Sequence, residues 1–226
     1  MAHRGLWIVI PAYQEAAQIE ATLSDLGAYL PRVVVVDDGS TDATAEAARR
    51  AGAEVLRHGV NLGQGAALQT GIDYALRSGA THICTFDADG QHDTHTIERL
   101  LDTAARMGAD VVLGSRFSGA AVDMPPLRRL ALRCAVLVTR MQTRLPLTDT
   151  HNGLRLFTRE AALRIRIRQP GMAHASELLS TVARLGLHVV EVPTTVRYTA
   201  YSRAKGQRLS NSVKIALDLA YAALSS

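Results

Sequence analysis

The chain has 226 residues, 47% of them hydrophobic, and a formal net charge of +4 at pH 7. This length allows one sizeable α/β domain or two small ones, and the composition suits a packed apolar core. No stretch reaches the roughly 18 consecutive apolar residues of a membrane-spanning helix, so the sequence predicts none. Pro11 and Glu15 interrupt the first apolar run, which does not resemble a signal peptide, and we expect a cytoplasmic location.

The positive charge comes almost entirely from arginine, whose planar guanidinium suits forked contacts with phosphate. Three phenylalanines and one tryptophan provide no stacking platform for bases, which argues against binding of single-stranded nucleic acid. Cys84 and Cys134 stand in apolar surroundings without metal-site spacing, and we expect both to be buried free thiols.

Apolar spacing in the first half of the chain predicts alternating strands and helices. The predicted strands are 6–10, 33–36, 54–56, 81–86 and 110–113, and the predicted helices are 15–29, 43–51, 66–78 and 95–107. Four consecutive valines at 33–36 are typical of a strand that is buried on both faces. This alternation favours an α/β fold with a mostly parallel central sheet and helices on both faces.

The second half is less regular but contains no repeat, low-complexity stretch or linker. We predict a strand at 154–157, helices near 158–166 and 174–185, extended segments at 187–198, a basic loop at 201–207, and two amphipathic helices near 127–144 and 210–224. We therefore expect a single domain over residues 1–226.

Polar residues follow three of the predicted strands at their carboxyl ends, where parallel sheets bind their ligands. They are Pro11-Ala12-Tyr13, Asp37-Asp38-Gly39-Ser40 and Asp87-Ala88-Asp89. Each segment alone is compatible with a solvated turn, because Asp and Gly are common turn residues. Three of them at one edge of a sheet favour a site.

Asp87 and Asp89 are two residues apart, so on a continuing strand both side chains point to the same face. Two carboxylates at such short range repel each other unless a positive charge lies between them. Mg²⁺ and Mn²⁺ prefer oxygen ligands and often join protein carboxylates to substrate phosphates. The functional interpretation is a site for a metal and a diphosphate, and the alternative is a solvated turn.

Two further motifs have two interpretations each. Asp38 either accepts hydrogen bonds from a nucleotide base or ribose, or belongs to a solvated turn. Arg128, Arg129 and Arg133, which follow Pro125-Pro126, either form the wet face of a helix or meet a phosphorylated lipid at a membrane surface. Gly63-Gln64-Gly65 lacks the third glycine of a dinucleotide fingerprint, and we expect a loop of close approach there.

Taken together, the motifs resemble those of family 2 glycosyltransferases with the GT-A (nucleotide-diphospho-sugar transferase) fold. The segments that carry the resemblance occur in order at 10–15, 36–42, 61–66, 87–92 and 114–117. The subgroup they resemble most is the polyprenyl-phosphate hexose synthases, of the dolichol-phosphate mannose and glucose synthase type. The resemblance covers roughly residues 6 to 160 and implies transfer of a hexose from a GDP-mannose or UDP-glucose type of donor.

This resemblance also implies roles for individual residues. The nucleotide-sugar pocket is lined by Pro11, Ala12, Tyr13, Glu15, Gly65, Asp87 and Ala88, with Asp38 at the base. Mg²⁺ or Mn²⁺ is held by Asp87, Asp89 and Gln91. The acceptor phosphate is held by Arg116, Arg129 and Arg133, the segment 149–155 lies near the donor sugar, and the basic loop with Arg203 and Gly206 closes over the diphosphate.

The expected reaction is a single displacement with inversion at the anomeric carbon, and the catalytic candidates are Asp89, Arg116 and Asp149. A polyprenyl phosphate is already anionic and needs positioning, whereas a hydroxyl acceptor needs a base, for which Asp149 is the candidate. The sequence also leaves open a sugar-phosphate nucleotidyltransferase, a class that carries a Gly-rich basic loop after its first strand, and a non-catalytic nucleotide-sugar-binding module. The helices at 127–144 and 210–224 predict contact with the inner membrane surface, a homodimer or a separate membrane anchor.

Overall fold

The computed structural model describes residues 5–171 and 173–198. Its strands are β1 (Leu6–Ala12), β2 (Val33–Asp37), β3 (Glu54–Arg57), β4 (His82–Thr85), β5 (Val111–Val122), β6 (Arg155–Thr158) and β7 (Val189–Arg197). Its α-helices are α1 (Ile19–Leu26), α2 (Thr44–Arg50), α3 (Gln64–Arg77), α4 (Thr96–Met107), α5 (Pro126–Thr143), α6 (Arg159–Arg164) and α7 (His174–Arg184).

All these strands form one sheet in the order β3-β2-β1-β4-β6-β5-β7. The strands β1, β2, β3 and β4 pair in parallel, and so do β5 and β7. Strand β6 lies between β4 and β5 and is antiparallel to both. The predicted α/β fold with a mostly parallel sheet is therefore confirmed. The start of β6 meets the carboxyl ends of its parallel neighbours.

Two apolar cores cover the two faces of the sheet. Helices α1, α2 and α4 pack on one face, and α3, α6 and α7 pack on the other. The valine run of β2 serves both, because Val33 and Val35 belong to the first core while Val34 and Val36 belong to the second. A strand covered on both faces needs apolar side chains at every position, which explains why these valines do not alternate with polar residues.

The structure differs from the sequence predictions at several boundaries. Strand β5 continues to Val122 instead of ending near Leu113, because β7 pairs with it in parallel on both sides of a register shift between Ser115 and Ala120. Arg116 is therefore inside a strand. Helix α1 ends at Leu26, where Gly27 has a φ of 48° and begins a 3₁₀-helix.

The two cysteines also differ from each other. Cys84 is buried as predicted, and its burial raises the pKa of the thiol. Cys134 is exposed on α5, because the apolar stripe predicted for this helix packs only through its centre, at Ala135, Val136 and Thr139. Among the helices that the structure describes, none is long and apolar enough to cross a membrane. The predicted loop at 201–207 and helix at 210–224 lie outside the described residues.

Gly71 tests how closely α3 packs on the sheet. A Cβ at this position would overlap Cγ1 of Val9 and crowd Cγ2 of Val36. Alanine is the better helix former by about 1 kcal/mol, yet we expect Gly71→Ala to lower the free energy of unfolding by about 1–3 kcal/mol through overpacking. Chemical denaturation measures the change. Gly59→Ala, where a Cβ meets nothing within 4 Å, is the matched control and leaves stability nearly unchanged. A more stable Gly71→Ala variant would contradict the close contact.

Candidate functional site

The predicted residues of the first strand end lie at the carboxyl edge of the sheet. Pro11 and Ala12 end β1 and are buried, whereas Tyr13 is exposed just beyond them. The backbone N–H of Glu15 donates to Oγ1 of Thr44 at 2.8 Å, which ties this loop to the start of α2. The segment after β1 is therefore fixed by the neighbouring helix and presents Tyr13 outward.

Asp38 follows β2 and is almost fully buried. Its Oδ1 lies 2.7 Å from Nδ1 of His58 and accepts the N–H of Leu62 at 2.9 Å, while its Oδ2 accepts the N–H of Gly63 at 2.7 Å. Nε2 of His58 lies 3.0 Å from Oγ1 of Thr70. The carboxylate thus fastens the loop before α3 to β2. Its contact with a base stays a prediction and has to use the remaining lone pairs.

The carboxylate of Asp87 lies just past the end of β4 and is held by one imidazole. Nε2 of His92 lies 2.9 Å from its Oδ2, and any side chain in place of Gly153 would overlap its oxygens. Burial raises the pKa of Asp87, but the hydrogen bond and charge of His92 and the charges of Arg155 and Arg116 outweigh it and lower the pKa. Asp87 is therefore ionised at neutral pH.

Asp89 has the opposite shift. Burial and the charge of Asp87 raise its pKa to about 6, although the charge of His92 and the N–H of Gln91 act in the opposite sense. This is the shift expected for two neighbouring carboxylates in the absence of a cation. The pair therefore fits a divalent metal ion.

No cluster of three or more His, Cys, Asp or Glu groups suited to a metal ion occurs in residues 5–171 and 173–198. The carboxylates of Asp87 and Asp89 and the amide oxygen of Gln91 would thus form a partial ligand set. Mg²⁺ and Mn²⁺ are often held by one or two carboxylates together with substrate phosphates, so a partial set suits a metal that arrives with a diphosphate.

Two of the catalytic candidates, Arg116 and Asp149, form a buried ion pair. Nε of Arg116 donates to Oδ2 of Asp149 at 2.6 Å, and the exposed fractions of the two side chains are 5% and 0%. Arg116 also donates to the hydroxyl of Tyr198 at 2.7 Å and to the carbonyl of His151. Burial lowers the pKa of Arg116, but Asp149 and Tyr198 outweigh it and raise the pKa. Each candidate therefore neutralises the other.

The loop that carries Asp149 is anchored by a residue that the sequence analysis missed. The carboxylate of Glu191 on β7 accepts the N–H groups of Thr148 and Asp149 at 2.8–3.0 Å and the hydroxyl of Thr148 at 2.7 Å. A lone carboxylate between apolar residues of a strand was the available signal. Such a residue usually has a hydrogen-bonding partner, because an unpaired buried charge is costly.

Tyr198 is a second residue missed by the sequence analysis. Its buried ring carries the guanidinium carbon of Arg128 5.0 Å from the ring centroid, a cation–π arrangement. Arg129 and Arg133, the predicted phosphate ligands on α5, are exposed. The structure therefore ties Arg128 to the Arg116 pair through Tyr198. Arg203 and Gly206, predicted over the diphosphate, lie outside the described residues.

Gly65 and Ala88 complete the predicted set. The N–H of Gly65 donates to the carbonyl of Pro170 at 2.7 Å, so the segment before α7 lies on the first turn of α3. Ala88 is buried, and its carbonyl accepts the hydroxyl of Thr22 at 2.9 Å. The site is thus assembled from three strand ends, the loop before β6 and the start of α7.

Comparison with known proteins identifies this arrangement. The profile of the family described as glycosyl transferase family 2 matches residues 7–166. The chain belongs to this family. It is a glycosyltransferase with the GT-A fold, which sets aside the nucleotidyltransferase and the non-catalytic module.

Two relatives and one solved structure illustrate the similarity. The glycosyltransferase is 28% identical over 237 residues to a UDP-N-acetylglucosamine–dolichyl-phosphate N-acetylglucosaminyltransferase of Methanococcus voltae, covering 95% of this chain and 94% of the relative. It is 33% identical over 199 residues to an undecaprenyl-phosphate mannosyltransferase of Micrococcus luteus, covering 83% and 81%. Glucosyl-3-phosphoglycerate synthase of Mycobacterium tuberculosis has the same fold, with a TM-score of 0.75, 22% identity, and coverage of 99% of this chain and 81% of that one.

Asp89→Asn tests the repulsion between the two carboxylates. Because the pKa of Asp89 is raised from 3.8 to about 6, the folded protein binds this proton more tightly than the unfolded chain. The metal-free glycosyltransferase therefore loses stability as the pH rises from about 4 to about 6. At pH 7 we expect Asp89→Asn to be more stable by about 1–2 kcal/mol, less than the full shift implies because the group is partly exposed.

Denaturant unfolding at pH 4 and pH 7 without metal measures this difference, which should disappear at the lower pH. Mn²⁺ should raise the melting temperature of the wild type more than that of Asp89→Asn. A variant that is less stable than the wild type at pH 7 would contradict the assignment of Asp89.

Asp149→Asn tests whether the Arg116 pair is structural. Removal of the carboxylate charge leaves a buried guanidinium without its ionic partner, so we expect the free energy of unfolding to fall by about 3 kcal/mol. Asp102→Asn, an exposed change on α4, is the control and should cost little. Denaturant unfolding of metal-free protein decides the question. Unchanged stability together with lost sugar transfer would instead favour a free catalytic carboxylate.

Proposed function

We propose that this glycosyltransferase moves a hexose from a nucleotide-sugar donor to a polyprenyl phosphate at a membrane surface, with inversion and with Mg²⁺ or Mn²⁺ as cofactor. The observation that carries the proposal is the Asp87–Asp89 pair at the carboxyl edge of the sheet, next to a base candidate that is already occupied. The names of the two relatives support the lipid phosphate. They differ in the sugar, so the donor is left open between UDP and GDP sugars.

The donor side of the reaction requires the charge of a leaving nucleoside diphosphate to be neutralised. A metal ion supplies that neutralisation when it is bound. Asp87, Asp89 and Gln91 would hold it, and the imidazole of His92 keeps the Asp87 carboxylate in place at 2.9 Å. Tyr13, exposed beyond β1, and Asp38 would border the nucleotide.

The acceptor side favours a group that is already anionic. The Asp149 carboxylate accepts three hydrogen bonds, two from Arg116 and one from the N–H of His151, and these oppose its use as a base. Burial and the charge of Arg155 lower the pKa of His151 to about 4, which makes it a poor base at neutral pH. A phosphate nucleophile needs no proton removed and depends mainly on positioning.

Helix α5 offers the surface for such an acceptor. Its exposed large apolar side chains are Leu127, Leu130, Leu137 and Met141. Exposed arginines at 129, 133 and 140 accompany them on the same helix. Exposed leucines combined with arginines suit an anionic lipid surface, where apolar side chains enter the headgroup region and guanidinium groups bind phosphate.

Arginine substitutions on α5 test the acceptor. With Mn²⁺, UDP-glucose or GDP-mannose and a polyprenyl phosphate in vesicles, we expect Arg129→Gln and Arg133→Gln each to raise the acceptor KM about tenfold, because each removes a charge-assisted hydrogen bond. The donor KM should stay unchanged. Arg106→Gln on α4 removes the same charge from an exposed position and is the matched control.

The same assay contains the contrary results. Transfer to a soluble sugar or another hydroxyl, with none to the lipid phosphate, would favour a hydroxyl acceptor and return attention to Asp149. Equal loss of activity in Arg106→Gln would show that only overall charge matters.

A further inference from the structure

Arg155 is a buried cation without a committed partner. It is the first residue of β6, it is 4% exposed, and its side chain has no hydrogen bond to any other described residue. Burial lowers the pKa of Arg155. Its two anionic neighbours are engaged elsewhere, Asp149 by Arg116 and Asp87 by His92. A buried guanidinium in this state calls for an external acceptor, because unpaired buried donors are costly.

Arg159 shows what a satisfied arginine looks like in the same region. It follows β6 directly, and its Nη1 donates to the carbonyls of Leu76 and Ala80 at 3.0 and 2.9 Å. The contrast between the two arginines is therefore local. The fold provides acceptors for Arg159 and leaves Arg155 open.

His174 presents the complementary group. It is the first residue of α7, it is 4% exposed, and its Nδ1 lies 2.8 Å from the carbonyl of Gly171. A carbonyl oxygen only accepts, so Nδ1 carries the proton. Burial and the charge of Arg155 lower the pKa of His174 to about 4, so the ring is neutral at pH 7. Nε2 is then a lone-pair acceptor, and within the described part of the chain it has no partner.

The position of His174 is fixed from two sides. A Cβ on Gly65 would lie 2.8 Å from Cβ of His174, so this helix start packs against α3. The preceding residues are held by Glu177, whose carboxylate accepts the N–H groups of Arg168 and Gln169 at 2.9 and 2.8 Å. Both Arg155 and Asp87 act electrostatically on His174, which places it beside the Asp87–Asp89 pair.

We propose that Arg155 and His174 form the subsite for a hydroxyl group of the donor hexose, with the guanidinium donating to the hydroxyl oxygen and Nε2 accepting its proton. This inference rests on the proposed use of a nucleotide-sugar donor. A hydroxyl both donates and accepts, so it satisfies the two side chains together. A diphosphate at neutral pH offers only acceptors and would leave the lone pair of Nε2 unsatisfied. The pair therefore selects the sugar.

The test separates the sugar from the diphosphate. Calorimetry with Mn²⁺ compares UDP with UDP-glucose and GDP with GDP-mannose on the full chain. We expect Arg155→Gln and His174→Phe to weaken the accepted nucleotide-sugar about tenfold or more, because one partner of the hydroxyl is lost. The affinity for the bare nucleoside diphosphate should stay within about twofold. Arg159→Gln and the exposed His188→Phe are the controls for equivalent changes outside the subsite.

Deoxy donors give an independent readout. The wild type should reject the deoxy sugar that lacks the contacted hydroxyl by about 100-fold, since both buried groups are then unpaired. His174→Phe should discriminate less against it. His174→Asn restores a short acceptor and should recover part of the discrimination, which keeps the inference testable if Arg155→Gln does not fold.

Two results overturn the subsite. If Arg155→Gln weakens UDP or GDP as much as its sugar conjugate, the arginine contacts the diphosphate. If neither variant changes sugar binding, the two side chains face no donor. Failure of the proposed function is distinct from both, because a wild type that binds the nucleotide-sugar but transfers nothing to lipid phosphate contradicts the acceptor and leaves the binding comparison intact.

Discussion

The site depends on one antiparallel strand. Because β6 lies between β4 and β5 and opposes both, the loop before it enters at the carboxyl edge where β1, β2 and β4 end. Two hydrogen bonds fix that entry, from the hydroxyl of Thr85 to the carbonyl of Gly153 at 2.6 Å and from the N–H of Gly114 to the carbonyl of Leu154 at 2.9 Å. Gly153 is required there, since any Cβ would strike Asp87. Topology thus delivers basic and acidic residues to the same place.

The electrostatics of the site follow from this crowding. Arg116 and Asp149 cancel each other inside the protein, and His92 supports the ionised form of Asp87. The pKa of Asp89 is raised because no such partner compensates it, and the guanidinium of Arg155 has no hydrogen bond among the described residues. The groups left uncompensated are those expected to meet ligands, whose charge and hydrogen bonds would complete the balance.

Much of the fold and part of the site were predictable from sequence. The valine run at 33–36 and the helical spacing of 95–107 predict their elements because burial alone determines those patterns. The Asp-Ala-Asp segment could be found because its residues are adjacent in the chain. His174, Tyr198 and Glu191 could not, since each acts through partners that only tertiary pairing brings near. Arg155 was included only within a segment, because burial without a partner has no sequence signal.

The division of labour among the arginines follows from the same balance of charge. Arg116 is neutralised by Asp149 and bound to Tyr198, so it stabilises geometry more than it attracts an anion. Arg128 is held over the Tyr198 ring, which fixes α5 relative to the donor site. Under the proposed function the net attraction for an acceptor phosphate then comes from the exposed arginines of α5, beside the leucines that would meet the lipid. A phosphate drawn in from that side approaches a donor site whose position Tyr198 has already set, and only modest further positioning is needed for in-line attack.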